Sequence, residues 1–375
     1  MFRICHLITS LDVGGAETSL FRLLSALDRD RFSCSAISLI EPGLVGRRIR
    51  ELGVPVRSLG LRRGAVSPAA LLKLTRRLRQ DRPDIVMTWL YHADLAGLLA
   101  GRLARVPAIV WNLRASNMDM SRYHALSGWT LWLCARLSHL PAAVVVNSES
   151  GRAYHSQIGY RPREWVLIRN GVDPAQFKPD AAAREEVRVE LGLRQEDLLI
   201  GLVARLDPTK DHDNFLAAAR MVAQQDRSVH FALAGRGAGS DNLRLAAGVE
   251  GPPFSGRVHL LGEREDMPRL TAAFDIACSA SRSEAFPNTV AEAMACEVVC
   301  VATDAGDSAK ILGETGIGVP PGNPDALSQG LLRAIALKPS ERQAWGSAAR
   351  ERVIQHFSLD RFVADYEAFF TRIGS

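Results

Sequence analysis

Aromatic residues are scarce in this 375-residue chain, at 6%, and no stretch of it is both long and uniformly apolar. The richest candidate, Gly128 to Val146, is broken by Arg136, His139 and Pro141. A bilayer-spanning helix, which needs about 20 apolar residues, is therefore not expected there. Nor is an export signal, because MFRICHLI runs straight into a polar loop. Cysteine is equally sparse. The six residues at 5, 34, 134, 278, 296 and 300 form no C-x-x-C pair, which argues against a zinc site and for buried thiols in a reducing compartment. No tandem repeat or low-complexity tract is present. These absences point to a cytoplasmic protein without bound metal, and the length suits two α/β domains better than one core.

Acidic residues are short in one half only. Met1 to Asp173 carries 24 Lys/Arg against 13 Asp/Glu, whereas the remainder has an acidic surplus of six. A basic surface of that kind suits nucleic acid, an anionic membrane or a phosphate-bearing acceptor. Arg62, Arg63, Lys73, Arg76, Arg77, Arg79 and Arg82 cluster without interleaved aromatics, so nucleic acid is not expected as a partner.

What the chain does have is a β/α rhythm. Short apolar runs read as strands near Arg3–Ile8, Cys34–Ile40, Val56–Leu59, Ile85–Thr88, Ala108–Asn112, Ala143–Asn147 and Val166–Ile168. Helical patterns such as Glu17–Leu27, Pro68–Gln80, Ala93–Ala104 and Ser121–Leu137 fill the gaps. The rhythm restarts after a Gly- and Pro-containing linker, Asn170–Asp180, with strands near Leu199–Val203, Val229–Ala234, Val258–Leu261, Ile276–Ser279, Val298–Val301 and Gly318–Pro320. The pattern predicts two Rossmann-like, doubly wound α/β domains facing across a cleft. They span residues 1–173 and 174–357, with an amphipathic helix at 358–375 packing back on the first.

Three segments carry the candidate chemistry. Gly14 and Gly15, in TSLDVGGAETSL, clear side chains from the start of a helix, where free amides suit a diphosphate. Arg205 and Lys210, in GLVARLDPTKDHDNF, bracket a strand-to-helix turn where two cations can neutralise a leaving phosphate. Asp211 or Asp213 is read there as a first-turn acid that complements the dipole, not as a metal ligand. In SRSEAFPNTVAEAMAC, Glu284 sits in a loop and Glu292 on the following helix. Both carboxylates can then line one pocket, serving as acid and base or accepting hydrogen bonds from sugar and ribose hydroxyls. GRGAGS, at 235–240, lacks a dinucleotide fingerprint's final glycine and is read as a turn near a nucleotide.

These segments, in this order, resemble glycosyltransferase family 4, the retaining group 1 enzymes of two-domain GT-B architecture. GGAE, NGVD, ARLDPTKDHDNFLAAA, SRSEAFPNTVAEAMAC and TDAGDSAKILGETGIGVPPGNPDAL carry the likeness over nearly the whole chain. The resemblance implies a hexosyltransferase that uses a nucleoside diphosphate sugar as donor and a saccharide or lipid-linked saccharide as acceptor, with no metal. It assigns Arg205 and Lys210 to the diphosphate, Glu284 to the transferred sugar and Glu292 to the ribose. Backbone amides around Phe286, Asn288, Thr289 and Val290 would complete the donor site, with Gly15 reaching across the cleft and the base held near Gly262 to Arg264. Three positions depart from the pattern: Glu297 replaces a common Gly, Lys310 a common acid, and Asn112 with Arg114 stand where some relatives carry a His. Asn112, Arg114 and His92 are therefore the acceptor-side candidates. The basic first domain, with Trp129 and Trp132 in an apolar helix, would suit a lipid-linked saccharide at an inner membrane face; the alternative is that these tryptophans are core and the arginines solvated. A sugar-nucleotide epimerase of the same architecture and a non-catalytic sugar-nucleotide-binding subunit are the alternatives.

Overall fold

A computed structural model of the chain describes residues 1–61, 67–116 and 125–375. Arg62 and Arg63 of the basic cluster, and the start of the helix expected from Ser121, lie outside the described residues. The chain divides into two compact units, Met1–Gly171 with Leu359–Ser375, and Val172–Ser358.

In the first unit the strands are β1 Phe2–Ile8, β2 Phe32–Ser38, β3 Val56–Ser58, β4 Ile85–Trp89, β5 Ala108–Leu113, β6 Ala143–Val146 and β7 Trp165–Leu167. They form one parallel sheet in the order β3-β2-β1-β4-β5-β6-β7. β2 begins two residues before the expected strand, because its ladder with β1 already pairs Phe32 to Phe2. β4 is buried along its whole length, as a strand covered on both faces must be. One face is covered by Gly15–Ala26, Leu44–Glu51 and the C-terminal helix Leu359–Gly374. That last helix buries Phe362, Val363, Tyr366, Phe369 and Phe370 against β1 and β4, each worth about 1.5–3 kcal/mol of burial. The helices Pro68–Asp81, Tyr91–Ala104 and Ala125–Leu137 pack side by side elsewhere on the unit.

The second unit holds β8 Leu198–Val203, β9 Val229–Ala234, β10 Val258–Gly262, β11 Ile276–Ser279, β12 Val299–Thr303 and β13 Ile317–Val319. These also form a parallel sheet, ordered β10-β9-β8-β11-β12-β13. Val172 forms a parallel bridge with Ser358, and its amide donates to Phe357 O at 2.9 Å, so this unit's two chain ends lie side by side. Glu297 takes the left-handed conformation at φ 61°, where a glycine would sit without strain, and its carbonyl presses on Gly346.

All six cysteines are unpaired, five of them buried and Cys34 half-buried. Burial pushes the thiols of Cys5, Cys34 and Cys296 up to about 12. Among the described residues, no helix is long and apolar enough to cross a membrane.

Candidate functional site

In each sheet the connections run outward from one central pair of strands, β1 and β4 in the first unit, β8 and β11 in the second. The carboxyl ends of such a pair form the crevice where open α/β sheets bind ligands. In the second unit, the loop after β8 carries Arg205 and Lys210, and the loop after β11 carries Glu284.

The first of these loops is fixed by its own side chains. Asp207 caps the short turn Pro208–Lys210 by accepting from Thr209 N at 2.9 Å and Thr209 Oγ1 at 2.6 Å. Its other oxygen lies 3.8 Å from Arg205 Nη2, and the Arg205 side chain is half exposed. The turn delivers the Lys210 ammonium onto Glu284 Oε1, with both side chains largely shielded from solvent. Ser281 Oγ donates to the same Glu284 oxygen at 2.8 Å, and Thr303 Oγ1 donates to the Ser281 carbonyl at 2.6 Å. The two residues expected to hold diphosphate and sugar are thus joined as an ion pair.

Two glycines allow the neighbouring loops to come this close. A Cβ on Gly306, at φ 66°, would stand 2.0 Å from the Glu284 carbonyl oxygen. A Cβ on Gly235, at φ 141°, would stand 2.3 Å from the Ala204 carbonyl oxygen. The GRGAGS turn is therefore a backbone junction: Leu206 N donates to Arg236 O at 2.8 Å, and Gly235 N to Gly262 O at 2.6 Å. Gly262 closes β10 at φ 64°. Arg264, two residues on, is committed to Asp266 and Glu190, at 2.7 Å from Asp266 Oδ2. Its guanidinium holds the Asp266 carboxyl well below the usual range. The Arg264 side chain is thus taken up by carboxylates of its own unit.

Pro287 precedes the helix Asn288–Ala295. Phe286 and Val290 are buried, the former edge-on to Phe357 at 5.7 Å, so their side chains belong to the core and only their backbone is open to a ligand role. Asn288, Thr289 and Glu292 are half-buried on the same helix. Of the two candidate first-turn acids, Asp213 takes that place and Asp211 does not. Asp211 precedes the helix His212–Gln225 but makes no side-chain cap, and its buried carboxylate is held by Arg282 at 2.6 Å. Asp213 does lie in the first helical turn, paired with Arg244 at 3.1 Å on the surface.

In the first unit, Gly14 is the extended N-cap of Gly15–Ala26, and nothing stands within 4 Å of where a Gly15 Cβ would be. The β4 end carries Leu90 at φ 75° and then His92, whose ring is held neutral by burial. Asn112 and Arg114 are placed differently from expectation. Asn112 is fully buried and donates to the Tyr366 hydroxyl at 3.0 Å. Arg114 lies 5.2 Å from the Trp89 ring and 3.4 Å from the same hydroxyl. Both side chains tie β5 to the C-terminal helix. Sequence reading missed Ser281, Arg282, Thr303 and Gly306; the first two were visible only as polar neighbours of Glu284 in SRSE.

Comparison with known proteins follows the same division. Residues 13–176 match the family model described as Glycosyltransferase Family 4, and residues 197–336 the one described as Glycosyl transferases group 1. The putative glycosyltransferase EpsF of Bacillus subtilis (strain 168) is 24% identical over 310 residues, which is 80% of this chain and 79% of that protein. The UDP-Gal:alpha-D-GlcNAc-diphosphoundecaprenol alpha-1,3-galactosyltransferase of Escherichia coli is 24% identical over 63% of this chain and 61% of its own length. Among solved structures, Anabaena Alr3699/HepE in complex with UDP-glucose gives a TM-score of 0.86 at 22% identity, covering 99% of this chain and 100% of that one. That last likeness is one of fold.

Proposed function

The chain belongs to the family 4, group 1 glycosyltransferases, and from that premise we propose that it transfers a hexose-type sugar from a nucleoside diphosphate sugar to an acceptor hydroxyl, with retention at the anomeric carbon. The observation that carries the reading is the meeting of Lys210 and Glu284 at the β8/β11 crevice. An ammonium and a carboxylate held at a strand-end crevice match a substrate with a diphosphate on one side and sugar hydroxyls on the other. Arg205 and Lys210 stabilise the charge that grows on the departing phosphate. Glu284 orients the sugar through its hydroxyls, and Glu292 accepts from the ribose. The acceptor oxygen bonds to C1 on the face from which the phosphate leaves. Its proton passes to the phosphate oxygen as the C1–O bond breaks, and the nucleoside diphosphate departs.

A panel of UDP- and GDP-sugars, tested for binding by calorimetry and for released nucleotide, checks this. One donor should bind and release its nucleotide faster when a saccharide acceptor is added. Isomerised sugar nucleotide without any acceptor would establish the epimerase instead.

The acceptor is proposed to be a lipid-linked saccharide reached at an anionic membrane surface. The packed helices 68–81, 91–104 and 125–137 expose Leu72, Leu99, Leu103, Trp129 and Trp132, with Trp129 67% exposed. Lys73, Arg76, Arg102 and Arg136 are exposed on the same helices. Apolar tips among cations suit an interfacial surface. Trp129→Ala with Trp132→Ala should weaken partitioning onto phosphatidylglycerol vesicles several-fold and leave donor binding unchanged; equal partitioning would remove the membrane from the reading.

A further inference from the structure

We infer that Arg282 is a positioning residue for the donor site, acting through Asp211 to hold Lys210 in register with Glu284. The inference rests on the transferase reading above and adds to it a clamp that neither sugar nor phosphate touches.

Lys210 is bracketed in sequence by two attachments to one residue. On its N-terminal side, the Thr209 carbonyl accepts from Arg282 N at 2.8 Å. On its C-terminal side, the Asp211 carboxylate accepts from Arg282 Nε at 2.6 Å and from Nη2 at 3.3 Å. Arg282 itself stands between Ser281, whose hydroxyl holds Glu284, and Glu284 two residues on. A single residue therefore links the turn that presents the cation to the loop that presents the carboxylate.

The Lys210–Glu284 contact is made by the two groups proposed to meet the donor, whereas the Arg282–Asp211 pair involves neither of them. Its form suits the task. A planar guanidinium on a carboxylate sets orientation as well as distance. Asp211 is 5% exposed and held at φ 51°, so its carboxylate has little room to wander. The Arg282 side chain is 64% exposed, so truncating it removes no core packing. A shift of about 1 Å in a positioned group costs on the order of 10²-fold in rate.

The test is a double-mutant cycle on nucleotide release from the preferred donor of the UDP- and GDP-sugar panel. Arg282→Ala is expected to lower kcat by roughly 10- to 100-fold with a smaller change in KM, alongside a modest fall in unfolding temperature because the buried Asp211 carboxylate loses its partner. Arg282→Lys, which keeps charge but loses the fork, should recover only part of that loss. Asp211→Asn should fall with Arg282→Ala, and serves where the alanine variant folds poorly. In a Lys210→Ala background, Arg282→Ala should add almost nothing, because the clamp acts through the missing ammonium. Fully multiplicative losses, or an Arg282→Ala enzyme within twofold of wild type, would overturn the clamp while leaving the transferase reading in place. A fully active Lys210→Ala enzyme would overturn the site assignment itself, and the clamp with it.

Discussion

The two crevices occupy equivalent places in their sheets, yet they are furnished in opposite ways. At β8/β11 the loops carry charged groups that already hold one another: Asp207 on its turn, Lys210 on Glu284, Arg282 on Asp211. At β1/β4 the loops offer an uncrowded Gly15 and a half-buried neutral His92. The polar side chains at the end of β5, Asn112 and Arg114, turn inward to Tyr366. A charged ligand with fixed chemistry suits the first arrangement, since preorganised charges cost nothing to arrange at the moment of reaction. A shape-defined or hydroxyl-rich ligand suits the second.

The largest expected effect falls on the charged crevice. Lys210→Ala should lower kcat by about 10²-fold or more, measured as nucleotide release at saturating donor. Turnover within a few-fold of wild type would erase the distinction between the two crevices. Next comes Gly306→Ala, whose added Cβ would drive into the Glu284 carbonyl at 2.0 Å. Displacing the Glu284 loop should reduce kcat on the order of 10-fold, with some loss of unfolding temperature because the position is left-handed. A variant that lost stability alone would show that Glu284 tolerates movement. Smallest in turnover is Asn112→Ala in the other unit. Removing a buried donor to Tyr366 should cost about 1–3 kcal/mol of stability, read from denaturant unfolding, and leave kcat within twofold. A kcat loss beyond that would return Asn112 to the acceptor side.

Much of this was legible in the sequence, for reasons that differ by level. The thirteen strands among the described residues follow largely from apolar runs bounded by turn residues, since a strand covered on both faces is apolar along most of its length. Lys210 and Glu284 were legible as neighbours because each follows a parallel strand's carboxyl end, and the structure brings them into contact. Asn112 was misread for a related reason. A polar residue at the end of a buried strand looks functional until the helix that its amide donates to, 254 residues later, is in place. Asp211 shows the same limit on a smaller scale: its role depends on Arg282, 71 residues away. Gly306 was invisible because its task is to be absent from the space beside a carbonyl, and no pattern of residue types records an empty volume.

The burial of the cysteines has a practical consequence. Thiolate is the reactive form, and thiols raised to about 12, as at Cys5, Cys34 and Cys296, remain protonated at neutral pH. The native cysteines should therefore be silent toward maleimides while the protein stays folded. A single cysteine introduced at an exposed position such as Trp129 or Leu243 would then take a fluorophore selectively, without first stripping the six natural thiols from the chain.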